Sequence, residues 1–251
     1  MIEPTISILV PCFNEQDNLE PLSHRIHEAL RSEEFSYEIV LVDDGSQDNT
    51  WSVIQKLSAE SGGRIKVVRH PKNAGIPEAW ASALRNSAGS FAVTLDADGQ
   101  YAPEDIARLW RLHLQSGADI VQGWRQNQPG RPMIRSMMTA ILSFLLNLIF
   151  GLRLRDAKSG FFLISREKMA ALLATRFGLR HFQHFPLVAA KSLGMQIEQI
   201  PISFGKRSAG ASFIKKPWRF ALSTIWDLPK AFFRYVVFRE RLRRTISDKT
   251  G

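Results

Sequence analysis

The first half of the chain alternates short apolar runs with segments whose apolar residues recur at helical spacing. An apolar run bounded by turn residues is typical of a buried strand, and helical spacing is typical of an amphipathic helix. The pattern predicts strands at 5–10, 37–42, 65–68 and 91–95, a further strand from 120, and helices at 18–30, 50–57, 76–84 and 103–114. Pro11 is expected to stop the first strand. Alternating strands and helices indicate an α/β fold, with a mainly parallel sheet and helices on both faces.

The strand predicted at 91–95 ends in two carboxylates, Asp96 and Asp98, one residue apart. The carboxyl end of such a strand lies at the rim of the sheet, where α/β proteins place their ligands. Two carboxylate ligands there suit Mg²⁺ or Mn²⁺ bound jointly by the protein and a diphosphate. The motif therefore predicts a nucleotide-sugar site in outline. The alternative is a simple turn, because Asp and Gly are favoured turn residues.

The other predicted strands also end in unusual polar residues, which would lie at the same rim. These ends are Pro11-Cys12-Phe13-Asn14-Glu15, Asp43-Asp44-Gly45-Ser46 and His70-Pro71-Lys72-Asn73-Ala74-Gly75. Acidic side chains there can accept hydrogen bonds from the ring N–H groups of a base and from ribose hydroxyls. Each end taken singly is also explained by helix capping or turn chemistry.

Composition narrows the class of partner. The 251 residues are 45% hydrophobic, enough for a substantial core, and 33 Lys and Arg against 24 Asp and Glu give a formal charge of +9. This charge indicates an anionic partner: nucleic acid, a phosphorylated substrate or a lipid surface. Nucleic acid is disfavoured, because the basic residues concentrate after Arg125 beside apolar helices and no nucleic-acid motif is visible. The single cysteine, Cys12, excludes an intramolecular disulfide, and no signal peptide is visible.

In this order and spacing, the motifs resemble the family 2 glycosyltransferases of the GT-A fold, over roughly 7–212. Within that family they are most similar to the dolichol-phosphate mannosyltransferases and related polyprenyl-phosphate glycosyltransferases. The resemblance implies a Rossmann-like GT-A domain at 1–215, with a nucleotide-binding half at about 1–125 and an acceptor half at about 126–215. It also implies an inverting transfer from a nucleotide-diphospho-sugar, of the GDP-mannose or UDP-hexose type, to polyprenyl or dolichyl phosphate.

The resemblance also assigns site residues. The implied nucleotide-sugar pocket is lined by Pro11, Phe13, Glu15, Val42, Asp44, Asp96, Ala97, Asp98, Gln100 and Arg207. The implied metal ligands are Asp96, Asp98 and Gln100. The implied acceptor-phosphate residues are Arg125, Arg135 and Thr139, and Asp156 opens a block like the family's D-x-x-S-G-F. Residues 207–212 resemble the loop that closes over the nucleotide, although Phe213 stands where relatives usually have a lysine.

The chemical class of the acceptor can be inferred from the absence of an expected catalytic base. Transfer to a sugar hydroxyl needs a base, yet the helix after Arg180 carries His181 and His184 where relatives often have a carboxylate. A phosphate monoester is already anionic at neutral pH and needs only arginines to position it. The sequence therefore favours a phosphate acceptor. The alternative is transfer to a hydroxyl of a glycolipid or cell-envelope polysaccharide, with Asp156 or a histidine as the base.

A lipid acceptor is consistent with two further segments. The 17 residues at 136–152 carry no charge, and Thr139, Ser143 and Asn147 form a polar stripe along this helix. The run is short for a bilayer and arginines flank it, so we expect a helix in the headgroup region, with a buried core helix as the alternative. Residues 216–251 combine aromatics with a basic tail and predict amphipathic helices on a membrane surface. Together they predict a peripheral enzyme on the cytoplasmic face, without a confident transmembrane helix.

Overall fold

The computed structural model describes residues 3–127, 133–176, 178–179, 181–207 and 226–250. Seven strands form one sheet in the order β3-β2-β1-β4-β6-β5-β7. The strands are β1 (Ile6–Cys12), β2 (Tyr37–Asp43), β3 (Ile65–Arg69), β4 (Phe91–Thr94), β5 (Ile120–Asn127), β6 (Phe162–Ser165) and β7 (Ile197–Ser203). The pairs β1–β2, β1–β4, β2–β3 and β5–β7 are parallel, and β6 runs antiparallel to both β4 and β5. The predicted mainly parallel α/β sheet is confirmed.

Helices connect these strands and cover both faces of the sheet. They are α1 (Leu19–Leu30), α2 (Thr50–Glu60), α3 (Ile76–Arg85), α4 (Asp105–Ser116), α5 (Met133–Phe150), α6 (Arg166–Ala174) and α7 (Pro186–Ser192). A 3₁₀ turn (Phe182–His184) precedes α7, and a π-helical turn (Phe233–Val237) leads into a final helix (Arg239–Thr250). Residues 226–232 are also helical. The helices predicted in the first half agree with α1 to α4 within a few residues at each end.

Pro11 does not stop the first strand, contrary to the sequence prediction. Strand β1 continues to Cys12, and Pro11 lies opposite Val42 of β2. On its other side, β4 is paired with β1 only as far as Leu9. Proline is tolerated where its missing N–H faces no ladder partner. The shorter neighbouring strand therefore explains why β1 can run on to the rim.

The core lies on both faces of the sheet, as expected for parallel strands. Alternate residues of β1 point to opposite faces, so Leu9 packs in one apolar layer while Ile8 and Val10 pack in the other. All three are fully buried. The apolar run of β1 therefore lacks a polar face because neither face of this central strand meets water.

The described part of the C-terminal segment packs on this domain. Ala231 and Tyr235 are buried in the layer that contains α3 and α6, and the Tyr235 hydroxyl donates to the carbonyl oxygen of Thr175. Asp227 is buried and accepts a hydrogen bond from the backbone N–H of His181. Among the described residues, no helix is both long enough and apolar enough to cross a bilayer. The division of the chain at residue 215 stays a prediction.

Candidate active site

The carboxyl ends of β2, β1 and β4 meet at one rim of the sheet, because these three strands are neighbours and parallel. The loop after β1 and the loop after β2 are joined there by hydrogen bonds. The Asn14 backbone N–H donates to Ser46 Oγ (3.0 Å), and Asn14 Oδ1 accepts from the backbone N–H of Gln47 (2.8 Å). Asn14 has φ +56°, a left-handed conformation that asparagine tolerates better than most residues. These bonds hold the two predicted site loops side by side.

Asp44 connects this rim to the loop between β3 and α3. Its carboxylate accepts from the backbone N–H groups of Ala74 (2.9 Å) and Gly75 (2.8 Å) and from His70 Nδ1 (2.7 Å). Gly75 has φ +90°, a conformation open mainly to glycine. Asp44 is 4% exposed. The structure therefore gives this predicted nucleotide residue a fixed position, and His70 is a neighbour that sequence reasoning did not assign.

Gly45, in the loop after β2, lies against the backbone of Lys72 and Asn73 in the loop after β3. This contact supports a prediction about stability. The φ of Gly45 is +75°, and a Cβ there would lie 2.5 Å from the Lys72 carbonyl carbon. Gly45→Ala should lower the free energy of unfolding by about 2–5 kcal/mol, since left-handed strain adds to overpacking. Urea denaturation measures the change. Gly62→Ala is the matched control, because Gly62 has φ +61° with nothing within 4 Å of its Cβ position; an equal loss in both variants would contradict the close approach.

Asp96 and Asp98 lie together beyond β4, both half-buried. Burial, and then the negative charge of Asp98, raise the pKa of Asp96 to about 7. Burial also raises the pKa of Asp98, whose Oδ1 accepts from the backbone N–H of Gln100 at 3.1 Å. The two half-buried carboxylates repel each other, and a divalent cation bound between them would offset this repulsion. Over the described ranges, no group of three or more His, Cys, Asp and Glu side chains is placed to hold a metal.

Two side-chain contacts border the acidic pair. Arg207 forms an ion pair with Glu15, whose other oxygen accepts from Asn18 Nδ2 at 2.6 Å. Gln100 donates from Nε2 to the carbonyl oxygen of Gly205 at 3.1 Å, which ties the segment after β7 to the loop after β4. Arg207 thus contacts Glu15, and Gln100 contacts the backbone two residues before Arg207; the assignment of these residues to a nucleotide-sugar pocket stays a prediction. Residues 208–212 of the predicted closing loop lie outside the described residues.

Arg125 and Asp156 form a buried bidentate ion pair, with Nε 2.6 Å from Oδ2 and Nη2 2.9 Å from Oδ1. Their side chains are 11% and 7% exposed. Burial by itself would raise the pKa of Asp156, but the Arg125 guanidinium holds that pKa below its usual range. Asp156 is therefore an ionised partner of Arg125, and in this state it is a weak base.

A polar network behind this pair positions the block that begins at Asp156. Gln122 is fully buried and donates from Nε2 to the carbonyl oxygens of Asp156 (3.1 Å) and Ser159 (2.8 Å). The buried Tyr101 hydroxyl accepts from the backbone N–H of Gly160 at 3.1 Å. Sequence reasoning missed Gln122 and Tyr101. Gln122 lies in the strand that ends near Arg125, where a polar residue among apolar ones could have signalled its role, whereas no local motif marks Tyr101.

The remaining predicted residues belong to the rim, to the strands and loops beneath it, or to α5. Val42 and Ala97 are buried beneath the rim, whereas Pro11 and Phe13 are half-buried at it. Thr139 lies on α5 and is 9% exposed. Arg135 belongs to the first turn of α5, but its side chain lies outside the described residues.

The two histidines of the 3₁₀ region lie next to each other, with ring centroids 6.0 Å apart. His184 is buried, and burial followed by the positive charge of Lys158 puts its pKa well below its usual value. His184 is therefore neutral at physiological pH. As a weak base, it gives little support to the alternative mechanism in which a histidine activates a hydroxyl.

Sequence comparisons find a matching family and several relatives. The model of the family described as "Glycosyl transferase family 2" matches residues 7–173. A dolichol-phosphate mannosyltransferase from Pyrococcus furiosus is 29% identical over 96% of this chain and 66% of its own length. A dodecaprenyl-phosphate galacturonate synthase from Rhizobium johnstonii is 30% identical over 60% of this chain and 45% of its own. The chain thus spans less than two thirds of the length of these relatives.

The fold also matches solved structures. One is the glucosyl-3-phosphoglycerate synthase of Mycobacterium tuberculosis in complex with Mn²⁺, uridine diphosphate and phosphoglyceric acid. It superimposes with a TM-score of 0.67 at 22% identity, over 91% of this chain and 78% of that chain. This likeness supports the GT-A fold.

Proposed function

Because the chain belongs to glycosyl transferase family 2, we propose that it transfers a sugar, with inversion, from a nucleotide-diphospho-sugar to a polyprenyl or dolichyl phosphate at a membrane surface. One observation carries the choice of acceptor: Asp156, a candidate base, is paired with Arg125, whose guanidinium lowers its pKa and makes it a weak base. An acceptor that attacks through an existing phosphate charge needs no base. The names of the two curated relatives, both transferases of polyprenyl-type phosphates, support the same class.

The donor would lie along the rim formed by β2, β1 and β4. Asp44 and Glu15 would accept hydrogen bonds from the base and ribose, and Asp96, Asp98 and Gln100 would hold Mg²⁺ or Mn²⁺ with the diphosphate. The raised pKa of Asp96 supports the metal assignment, because a divalent cation would offset the repulsion between the two carboxylates. When bound, the cation would supply Lewis acidity to the leaving group.

The acceptor phosphate would lie near Arg125, Arg135 and Thr139. Arg125 is already oriented by Asp156, and Thr139 is a buried residue of α5. A guanidinium with a fixed orientation can bind a phosphate without first losing side-chain freedom. The lipid chain would then follow α5 to the membrane.

Helix α5 carries the feature that supports membrane binding, and the structure defines the orientation of its polar stripe, which the sequence left open. Its polar stripe faces the protein: Ser143 Oγ accepts from the backbone N–H of Ala157 (3.3 Å), and Asn147 exchanges two hydrogen bonds with the backbone of Leu154. The opposite face is apolar and exposed, and consists of Met137 (55%), Ile141 (50%), Phe144 (64%) and Leu148 (69%). An apolar face bordered by the exposed Arg153 and Arg155 fits the interfacial zone of a bilayer.

The exposed face of α5 predicts a specific loss of membrane binding. Phe144→Glu should weaken binding to anionic vesicles by about tenfold or more, because the aromatic ring that would transfer from water into the bilayer interface is removed. Vesicle sedimentation at several salt concentrations measures this. Leu114→Glu on α4 is the matched control, because Leu114 is 63% exposed and Phe144 is 64% exposed. Equal binding by the two variants would remove α5 from the membrane contact.

An acceptor screen tests the whole proposal. The wild-type chain would be incubated with radiolabelled GDP-mannose or UDP-hexoses, Mg²⁺ or Mn²⁺, and one of three acceptors: polyprenyl phosphate, the dephosphorylated polyprenol, or glycolipid alcohols. Product should form with polyprenyl phosphate, and Arg135→Ala should lose that product by one or more orders of magnitude. Product formed mainly on an alcohol would instead establish the alternative, transfer to a hydroxyl of a glycolipid or polysaccharide.

A further inference from the structure

His70 follows β3 and lies between two buried polar side chains. Its Nδ1 is 2.7 Å from Asp44 Oδ1, and its Nε2 is 2.8 Å from Ser82 Oγ on α3. The side chains of His70 and Asp44 are 14% and 5% exposed, and Ser82 is 6% exposed. Asp44, His70 and Ser82 therefore form a continuous chain of hydrogen bonds from the helix to the rim of the candidate nucleotide pocket.

The Asp44 carboxylate determines the direction of these hydrogen bonds. Because Asp44 Oδ1 accepts, His70 donates from Nδ1, and Nε2 of the neutral ring then accepts from the Ser82 hydroxyl. Ser82 Oγ in turn accepts from Arg85 Nη2 at 2.8 Å. The arrangement has the residue types of a hydrolytic triad, but Ser82 lies buried within α3 and already accepts from a cation. It is built to orient Asp44 and not to attack a substrate.

The hydrogen bonds to Asp44 leave a defined acceptor position. Oδ1 accepts from His70 and from the backbone of Ala74, and Oδ2 accepts from the backbone of Gly75. An ionised carboxylate can accept about four hydrogen bonds. The described contacts therefore saturate Oδ1 and leave Oδ2 with room for one more donor at the rim.

We propose that His70 is a positioning residue for nucleobase selection: it fixes the Asp44 carboxylate so that Oδ2 accepts the ring N–H of the donor base. The inference rests on the proposed function, in which Asp44 lines the nucleotide pocket. Uracil and guanine carry a ring N–H on the pairing edge, whereas cytosine has an acceptor nitrogen there. His70 therefore favours nucleoside diphosphates whose base carries this ring N–H, such as UDP and GDP. Its effect on affinity depends on the base.

Two amide substitutions separate positioning from general structural support. In His70→Asn the amide nitrogen takes the place of Nδ1 and keeps the donor to Asp44. In His70→Gln it takes the place of Nε2 and loses that donor. The readout is calorimetric titration of the full chain with UDP, GDP and CDP in the presence of Mn²⁺, with thermal melting of each variant. His24→Gln, at an exposed position on α1, is the control and should change nothing.

His70→Gln should weaken binding of whichever of UDP and GDP the wild type binds by about tenfold or more, the usual loss when a carboxylate hydrogen bond is removed. CDP binding should change by less than about threefold, and His70→Asn should stay near wild type. Ser82→Ala should give a smaller loss with the same dependence on the base, and it carries the test if His70→Gln does not fold. Equal losses for all three nucleotides, or none, would overturn this inference alone. A wild type that binds no nucleoside diphosphate would overturn the proposed function, and this inference with it.

Discussion

Asp98→Asn should reduce sugar transfer by about a thousandfold or more, while the free energy of unfolding stays unchanged or rises. The loss follows because the diphosphate leaving group would lose a cation worth several kcal/mol of transition-state stabilisation. The stability follows from the structure: the negative charge of Asp98 raises the pKa of the neighbouring Asp96, so removing that charge relieves repulsion. Asp96→Asn should behave alike.

The measurement combines turnover, Mn²⁺ titration in the presence of UDP, and urea denaturation. The control is Glu60→Gln, which also removes one carboxylate, but from an exposed position at the end of α2. Both variants should unfold at similar urea concentrations, and only Asp98→Asn should lose metal binding. Near-normal turnover in Asp98→Asn would remove the metal site from the mechanism.

Arg125→Ala should have the second largest effect, lowering both stability and turnover. It would leave Asp156 buried without its partner, at a cost of about 3–5 kcal/mol in the free energy of unfolding. Arg125→Lys should retain part of the stability, because it keeps the positive charge beside Asp156. It should still lose turnover by about tenfold or more, because an ammonium group cannot bind the acceptor phosphate with the planar, multi-donor geometry of a guanidinium. Urea denaturation and the polyprenyl phosphate assay measure the two effects.

An exposed pair of the same chemistry provides the comparison. Arg25 contacts Glu104 through Nε and Nη2, both at 2.8 Å, but their side chains are 45% and 53% exposed. Arg25→Ala should therefore cost at most about 1 kcal/mol, the usual value for a surface ion pair, and leave turnover unchanged. If both alanine variants lose the same stability, burial does not decide the strength of the Arg125–Asp156 pair. If Arg125→Lys keeps full turnover, Arg125 does not bind the acceptor phosphate through its fork.

Local patterns in the sequence determined the strand and helix alternation and pointed to the rim as the place of the candidate site. Buried parallel strands need continuous apolar runs, and their carboxyl ends meet at one rim, so Asp44, Asp96 and Asp98 could be placed together without a structure. The family motifs added the residues around them. The position of His70 within one of these strand ends was visible, but its partner Ser82 was not.

Only the tertiary structure decided features that depend on contacts distant in sequence. Pro11 is accommodated in β1 because β4 pairs only as far as Leu9, which no local pattern reveals. Asp156 is an ion-pair partner because the fold brings it to Arg125, 31 residues away in sequence. The polar stripe of α5 faces inward because Asn147 and Ser143 bond to the backbone that follows the helix. Helical periodicity defines two faces, but the packing of the rest of the chain selects which of them meets solvent.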